Sequence, residues 1–192
     1  GPAAGLATTA AALCAAVYDL GAKRWRVTGA LAMGGARAAN AAAGMLASGV
    51  TLAGALAVPS LGAAAYPLVI GAYTMLLTFV STFEGERPGP VAAGTMAVAL
   101  VLPVALLWPW FPAAWWWAPA VPLCALAASL VSGAREATRD PGPGVGAIVR
   151  RAVFGFLLVD AAFLMGNVWY EAGFWALLSY VGLRFLLARL RS

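Results

Sequence analysis

An all-α bundle of membrane-spanning helices is the fold class that this sequence predicts, and three observations carry it. Of its 192 residues, 63% are hydrophobic, 10% are charged, and mean hydropathy is +0.88. Soluble domains carry roughly 45–50% apolar and about 25% charged residues, so twelve basic and seven acidic side chains are too few to coat a water-soluble globule. The apolar stretches are long and continuous, which excludes disorder and also the short alternating segments of an outer-membrane barrel. Finally, the basic residues cluster at the ends of those stretches, as membrane topology requires, rather than forming a nucleic-acid-binding surface.

Seven apolar segments follow in order, at about 3–18, 29–47, 61–82, 91–108, 114–132, 147–168 and 172–189. Most approach the roughly 20 residues that cross a hydrocarbon core, where only closed helical backbone satisfies its own hydrogen bonds. Pro59-Ser60, Pro88-Gly89-Pro90, Pro109 with Pro112, and Pro141-Gly142-Pro143-Gly144 punctuate them. Loops on one side hold Lys23, Arg24, Arg26, Arg87, Arg135, Arg139, Arg150 and Arg151, and the C-terminal end adds Arg189 and Arg191. The opposite loops, about 48–60, 109–113 and 169–171, hold no Lys or Arg. The expectation is a multi-pass protein of the cell (inner) membrane with basic loops and C-terminus in the cytoplasm. Residues 1–192 read as one transmembrane domain. Because Gly1-Pro2 opens inside an apolar run, that domain is expected to be the later part of a longer protein.

Small residues crowd the early segments, as in Gly34-Gly35-Ala36 and Ala41-Ala42-Ala43-Gly44, and permit close helix packing in lipid. Trp108, Trp110, Phe111 and Trp115-Trp116-Trp117 read as an aromatic belt at the outer interface. Cys14 and Cys124 sit in apolar runs as small hydrophobes, and the absence of histidine excludes His-ligated metals and His-based catalytic triads.

Several polar residues are left over once the membrane reading is made. Arg37 falls in the middle of the second segment, with Asn40 on the same face, and an arginine at that depth costs about 2.5–3.5 kcal/mol on insertion scales. It is expected to turn to the bundle interior, with Asp160 of the sixth segment as partner, either as a structural pair or as the lining of a polar cavity. Lys23, Arg24 and Arg26 lie within four residues after Tyr18-Asp19. They are either topology-setting charges or an anion site, since Lys and Arg bind phosphate as point charge and as fork. Glu84 and Glu86, on the same side, are either a solvated loop or a carboxylate pair for Mg²⁺, a hard cation that takes oxygen ligands and substrate phosphates. Arg135, Glu136, Arg139 and Asp140 read as solvated loop charges.

The order of these features resembles a family. Val17-Tyr18-Asp19, then Lys23 and Arg24, then Met33-Gly34-Gly35-Ala36-Arg37-Ala38-Ala39-Asn40 with Gly44, then Tyr73-Thr74 to Ser81 and Glu84-Gly85-Glu86-Arg87 look like the later part of the UbiA prenyltransferase superfamily, with the strongest likeness to the UbiA-like proteins called EboC. Val159-Asp160-Ala161 adds to it. The resemblance implies an all-α membrane bundle with a cytoplasmic-side cavity that transfers a prenyl group from an isoprenoid diphosphate to an acceptor. Tyr18, Lys23, Arg24 and Arg26 would hold the diphosphate, Glu84 and Glu86 would hold Mg²⁺, and Arg37, Asn40, Tyr73 and Asp160 would form the catalytic polar end of the cavity. The chain departs from the family at its aspartate-rich motifs: the first is absent, and Thr78 and Thr82 stand where the second would carry aspartates. That departure keeps a second reading open, a non-catalytic carrier or scaffold for an isoprenoid lipid. A third is a small secondary transporter coupled through Arg37 and Asp160.

Overall fold

In the computed structural model, residues 1–49, 61–106, 117–139, 143–166 and 170–189 are described, and every regular element among them is helical. The elements are α1 (Pro2–Leu20), a 3₁₀ turn (Ala22–Arg24), α2 (Arg26–Ala47), α3 (Leu61–Ser81), α4 (Pro90–Ala105), α5 (Ala120–Ala137), α6 (Gly146–Gly166) and α7 (Tyr170–Arg189). The all-α expectation is thus met, and six of the seven helices start and stop within a few residues of the apolar segments that predict them. By length and composition, α1 is long and apolar enough to cross a membrane, and none of its residues is fully buried. Ala65–Ser81, Pro90–Ala105 and Gly173–Leu183 are shorter apolar helical stretches.

The fifth helix differs from expectation. It begins at Ala120, not near residue 114, and continues to Ala137. Trp117–Pro119 form a turn closed by the Ala120 N–H donating to Trp117 O, 3.0 Å. Pro119 and Pro122 fit that start, because the first turn of a helix leaves its N–H groups unused and loses nothing to proline, although α3 and α4 also hold Pro67 and Pro103 in their interiors. At the other end nothing in Arg135-Glu136 breaks a helix, so those charges belong to its last turn rather than to a loop. Of the expected aromatic belt, Trp117 is exposed, and the rest lies outside the described residues, as does Asp140.

The chain divides into two compact units. The first comprises Gly1–Glu86 with Leu102–Trp110, and the second Arg87–Val101 with Phe111–Ser192. In the first, α2 packs against both α1 and α3. A side chain at Gly34 would meet the carbonyl oxygen of Gly71 at 2.7 Å and Met75 Cβ at 2.8 Å. One at Gly71 would meet Ala38 Cβ at 2.8 Å. The two backbones therefore touch through paired small residues, a contact suited to surroundings where apolar burial supplies little driving force. Around the helix from there, Gly35 packs on α1 through Cys14 Sγ, 3.3 Å from where a Cβ would stand. Val69, Ile70, Tyr73, Leu77 and Val80 form the buried face of α3 at helical spacing.

In the second unit α6 packs against α5 and α7. Leu126, Leu130 and Ala137 of α5 and Ile148, Ala152, Leu158 and Val159 of α6 are buried nearly completely. Gly133 and Gly173 are the close-approach points, the first against Ala147, Ile148 and Arg151, the second against Met165 and Ala161. The Tyr180 hydroxyl donates to Ser129 Oγ at 3.2 Å, which gives the buried serine of α5 a partner.

Candidate functional site

The first unit brings two charged turns together. α1 ends at Leu20, and the chain reverses through Gly21 and the 3₁₀ turn before α2 starts. Two neighbours shape that reversal. Thr28 Oγ1 donates to Ala22 O at 3.2 Å, and Gly29 seats so closely that a Cβ there would stand 3.0 Å from Ala22 O and 3.2 Å from Lys23 Cα. Lys23, Arg24, Trp25 and Arg26 are left exposed on the outside of the bend. Tyr18, in the last turn of α1, is half-buried. No side chain caps the N-terminus of α2 at Trp25. Its free N–H groups and helix dipole therefore face the same solvent as the three cations, an environment that favours an anion.

The acidic turn follows α3. Its last carbonyls are met by successive turns, with Thr82 N–H donating to Phe79 O, Phe83 to Val80 and Glu84 to Ser81. Glu86 N–H closes the bend on Phe83 O. Gly85 sits at φ 95°, a conformation that side chains strain, and it sets Glu84 and Glu86 on the exposed rim of the bend.

Arg26 joins the two turns. Its Nη2 lies 3.7 Å from Glu86 Oε1, and its guanidinium carbon lies 4.3 Å from the centroid of the Phe83 ring. Phe83 is itself set edge-on against Phe79, centroids 5.5 Å apart. Lys23 forms the neighbouring i,i+4 pair with Asp19 at 3.8 Å. Exposed pairs of this length are worth about 0–1 kcal/mol, so they hold these charges loosely enough for another ligand to exchange with them. Among the described residues no three His, Cys, Asp or Glu side chains cluster as a metal cage. Mg²⁺ also binds through one or two carboxylates completed by phosphate oxygens and water, and Glu84 and Glu86 are exposed carboxylates two positions apart.

Of the remaining candidates, Arg37, Asn40 and Tyr73 lie in the first unit and Asp160 in the second. Arg37, expected to face inward, is exposed, and so is Asn40. The reason is angular: at about 100° per residue Arg37 stands about 160° around α2 from Gly35, whose side is taken by α1. It is also about 16 Å along the helix from Arg26, so it does not belong to the charged turns. Tyr73 is fully buried on α3. Asp160 is half-buried on α6 in the second unit, whereas Arg37 belongs to the first; neither is without a partner. Thr78 and Thr82, at the positions where the family resemblance expects aspartates, lie on α3 and just beyond its end, and the Thr82 hydroxyl donates to Phe79 O at 2.7 Å.

Sequence reasoning found the cations and carboxylates but not the residues that set them in place. Phe83, Thr28, Gly29 and Gly85 position the site, and the legible hint was local: Phe79 and Phe83 are four apart, the one on α3 and the other in the turn after it, and Gly85 separates the two glutamates. A second charged cluster joins residues that the sequence shows only as loop charges, Glu136 among them, and as basic residues able to contact lipid headgroups, Arg150 and Arg151. Arg151 Nη2 donates to Glu136 Oε2 at 2.8 Å, and Arg150 Nη2 lies 3.6 Å from Glu136 Oε1. Comparison with protein-family models, with curated proteins and with solved structures finds no match to this chain.

Proposed function

We propose that this chain is a multi-pass UbiA-like membrane protein that binds an isoprenoid diphosphate at the Lys23/Arg24/Arg26 turn and transfers the prenyl group to an acceptor. The observation that carries the reading is the meeting of the basic and acidic turns through Arg26. Cations for a diphosphate and carboxylates for its counter-ion thereby share one small surface. The low charge content and the exposed apolar α1 support the membrane setting, with these turns on the cytoplasmic side.

In the proposed reaction the allylic C–O bond breaks, and the diphosphate leaves with the bonding pair. The prenyl carbon then bonds to a nucleophilic atom of the acceptor, which gives up a proton. Lys23 and Arg24 bind and hold the diphosphate, and their charge opposes the negative charge that grows on the leaving oxygen. Arg26 can turn from Glu86 to a phosphate oxygen while its guanidinium stays over Phe83. Glu84 and Glu86 would hold Mg²⁺ together with the diphosphate, and the ion would neutralise the leaving group. Tyr18 would add a hydroxyl beside the diphosphate.

The test is transfer of a radiolabelled prenyl diphosphate in membranes holding the full-length protein. Replacing Lys23→Ala and Arg24→Ala together removes two charged hydrogen-bond donors, so kcat/KM should fall at least about a hundredfold. Unchanged turnover would remove the diphosphate assignment. One observation favours a second reading, a carrier or scaffold for an isoprenoid lipid: Thr82 offers a hydroxyl already committed to Phe79 where an aspartate would be needed. Retention of labelled isoprenoid by the protein, without release of diphosphate, would select it.

A further inference from the structure

The second unit holds an arginine cluster that the proposed reaction does not use. Residues 135–151 contain four arginines against two acidic residues, and no lysine. Glu136 is engaged by two of the arginines, closely by Arg151 and loosely by Arg150. Arg151 packs into the helix pair: its Cδ lies 2.7 Å from where a Gly133 Cβ would stand, so a side chain there would have to displace it. Arg135 and Arg139 are exposed on the same end of α5. Their backbone there is ordered by Thr138 Oγ1 donating to Arg135 O at 3.0 Å and by Arg139 N–H donating to Glu136 O at 3.3 Å. Among the described residues the cluster thus has an inner pair, Glu136 with Arg151, and three exposed arginines, Arg135, Arg139 and Arg150. Guanidinium groups match phosphate oxygens as planar forks, and the same charges lie on the side where anionic headgroups give a membrane surface its negative potential.

We infer that Arg135, Arg139 and Arg150 form a binding site for the phosphate of an acidic phospholipid headgroup, with the Glu136–Arg151 pair as its fixed base. This rests on the membrane reading given above, but not on prenyl transfer.

The full chain, purified in non-ionic detergent, is titrated with short-chain phosphatidylglycerol, with short-chain phosphatidylcholine and with inorganic phosphate, and adducts are read by native mass spectrometry. Phosphatidylglycerol should bind saturably and phosphatidylcholine should not. R135Q with R139Q should weaken phosphatidylglycerol binding roughly thirtyfold, about fivefold per arginine. R135K with R139K keeps the charge but loses the fork, and should fall between. Helical content and melting temperature of both variants should match the parent, because neither side chain is buried. Equal binding of both lipids, or binding unchanged in R135Q/R139Q, overturns the site. Phosphate alone binding as tightly as the lipid overturns the lipid assignment. Alkaline carbonate washing of cell membranes separates the two levels. A protein retained there without headgroup selectivity sinks only the arginine site, whereas one released sinks the membrane reading with it.

Discussion

In the first unit Arg26 and Glu86 meet at 3.7 Å with side chains 53% and 60% exposed. In the second, Arg151 reaches Glu136 at 2.8 Å with the arginine only 19% exposed. The sequence offers the same ingredients at both places, arginines and glutamates next to helix ends. What differs is the backbone around them. Gly133 lets Arg151 of α6 lie down against α5, largely out of water, where a charge needs its partner. Arg26 starts α2 in the open, with an aromatic ring on one side and a distant carboxylate on the other. The tight cluster works as a structural clasp, and the loose one leaves its charges available to a ligand. Charge composition alone does not distinguish a site from a brace; the depth at which the backbone seats the charges does.

The largest effect should come from the helix crossing beneath the loose turn. Gly34→Leu places a branched side chain where Gly71 O already stands 2.7 Å from a Cβ, so α2 and α3 must separate. Overpacking of this kind costs about 3 kcal/mol or more when backbone must move. Chemical denaturation in detergent should show it, with diphosphate binding lost as well. The contrast between the clusters is tested next by paired truncations. Glu136→Ala leaves the half-sunk Arg151 without its hydrogen bond and should cost about 2–3 kcal/mol. Glu86→Ala should stay within about 0.5 kcal/mol, because its partner remains in water. Equal losses by the same denaturation assay would erase the distinction. The smallest effect is at Gly85→Ala. Its φ of 95° strains a side chain by about 1 kcal/mol, but the Cβ meets nothing within 4 Å. Stability should fall by that amount, with a measurable change in divalent-cation binding as the two glutamates shift.

Helix positions were legible because apolar runs and proline clusters carry them directly. Arg26–Ala47 and Leu61–Ser81 nearly coincide with their apolar runs. The fifth helix was not, because tryptophans that favour an interface look equally apolar whether they begin a helix or precede it, and only Pro119 and Pro122 mark the start. The charged residues of the candidate site were legible as residue types, since few charges exist in this chain to choose from. Their seating was not. The joining of Arg26 to Phe83 and Glu86 links positions 57 and 60 apart in sequence, and no local pattern encodes it. Arg37 shows the same limit: its face on α2 depends on which sides Gly34 and Gly35 surrender to α3 and α1, information carried by the packing partners.

Gly29 and Thr28 fix the course of the basic turn through contacts with Ala22 and the Cα of Lys23, all of them made to backbone. The charged side chains of the turn stay exposed, and their ion pairs to Asp19 and Glu86 are loose. The number and strength of positive charges there can therefore drift over evolutionary time without any accompanying change of architecture, so that one scaffold could be retuned from gripping a highly charged headgroup to releasing it merely by exchanging surface side chains.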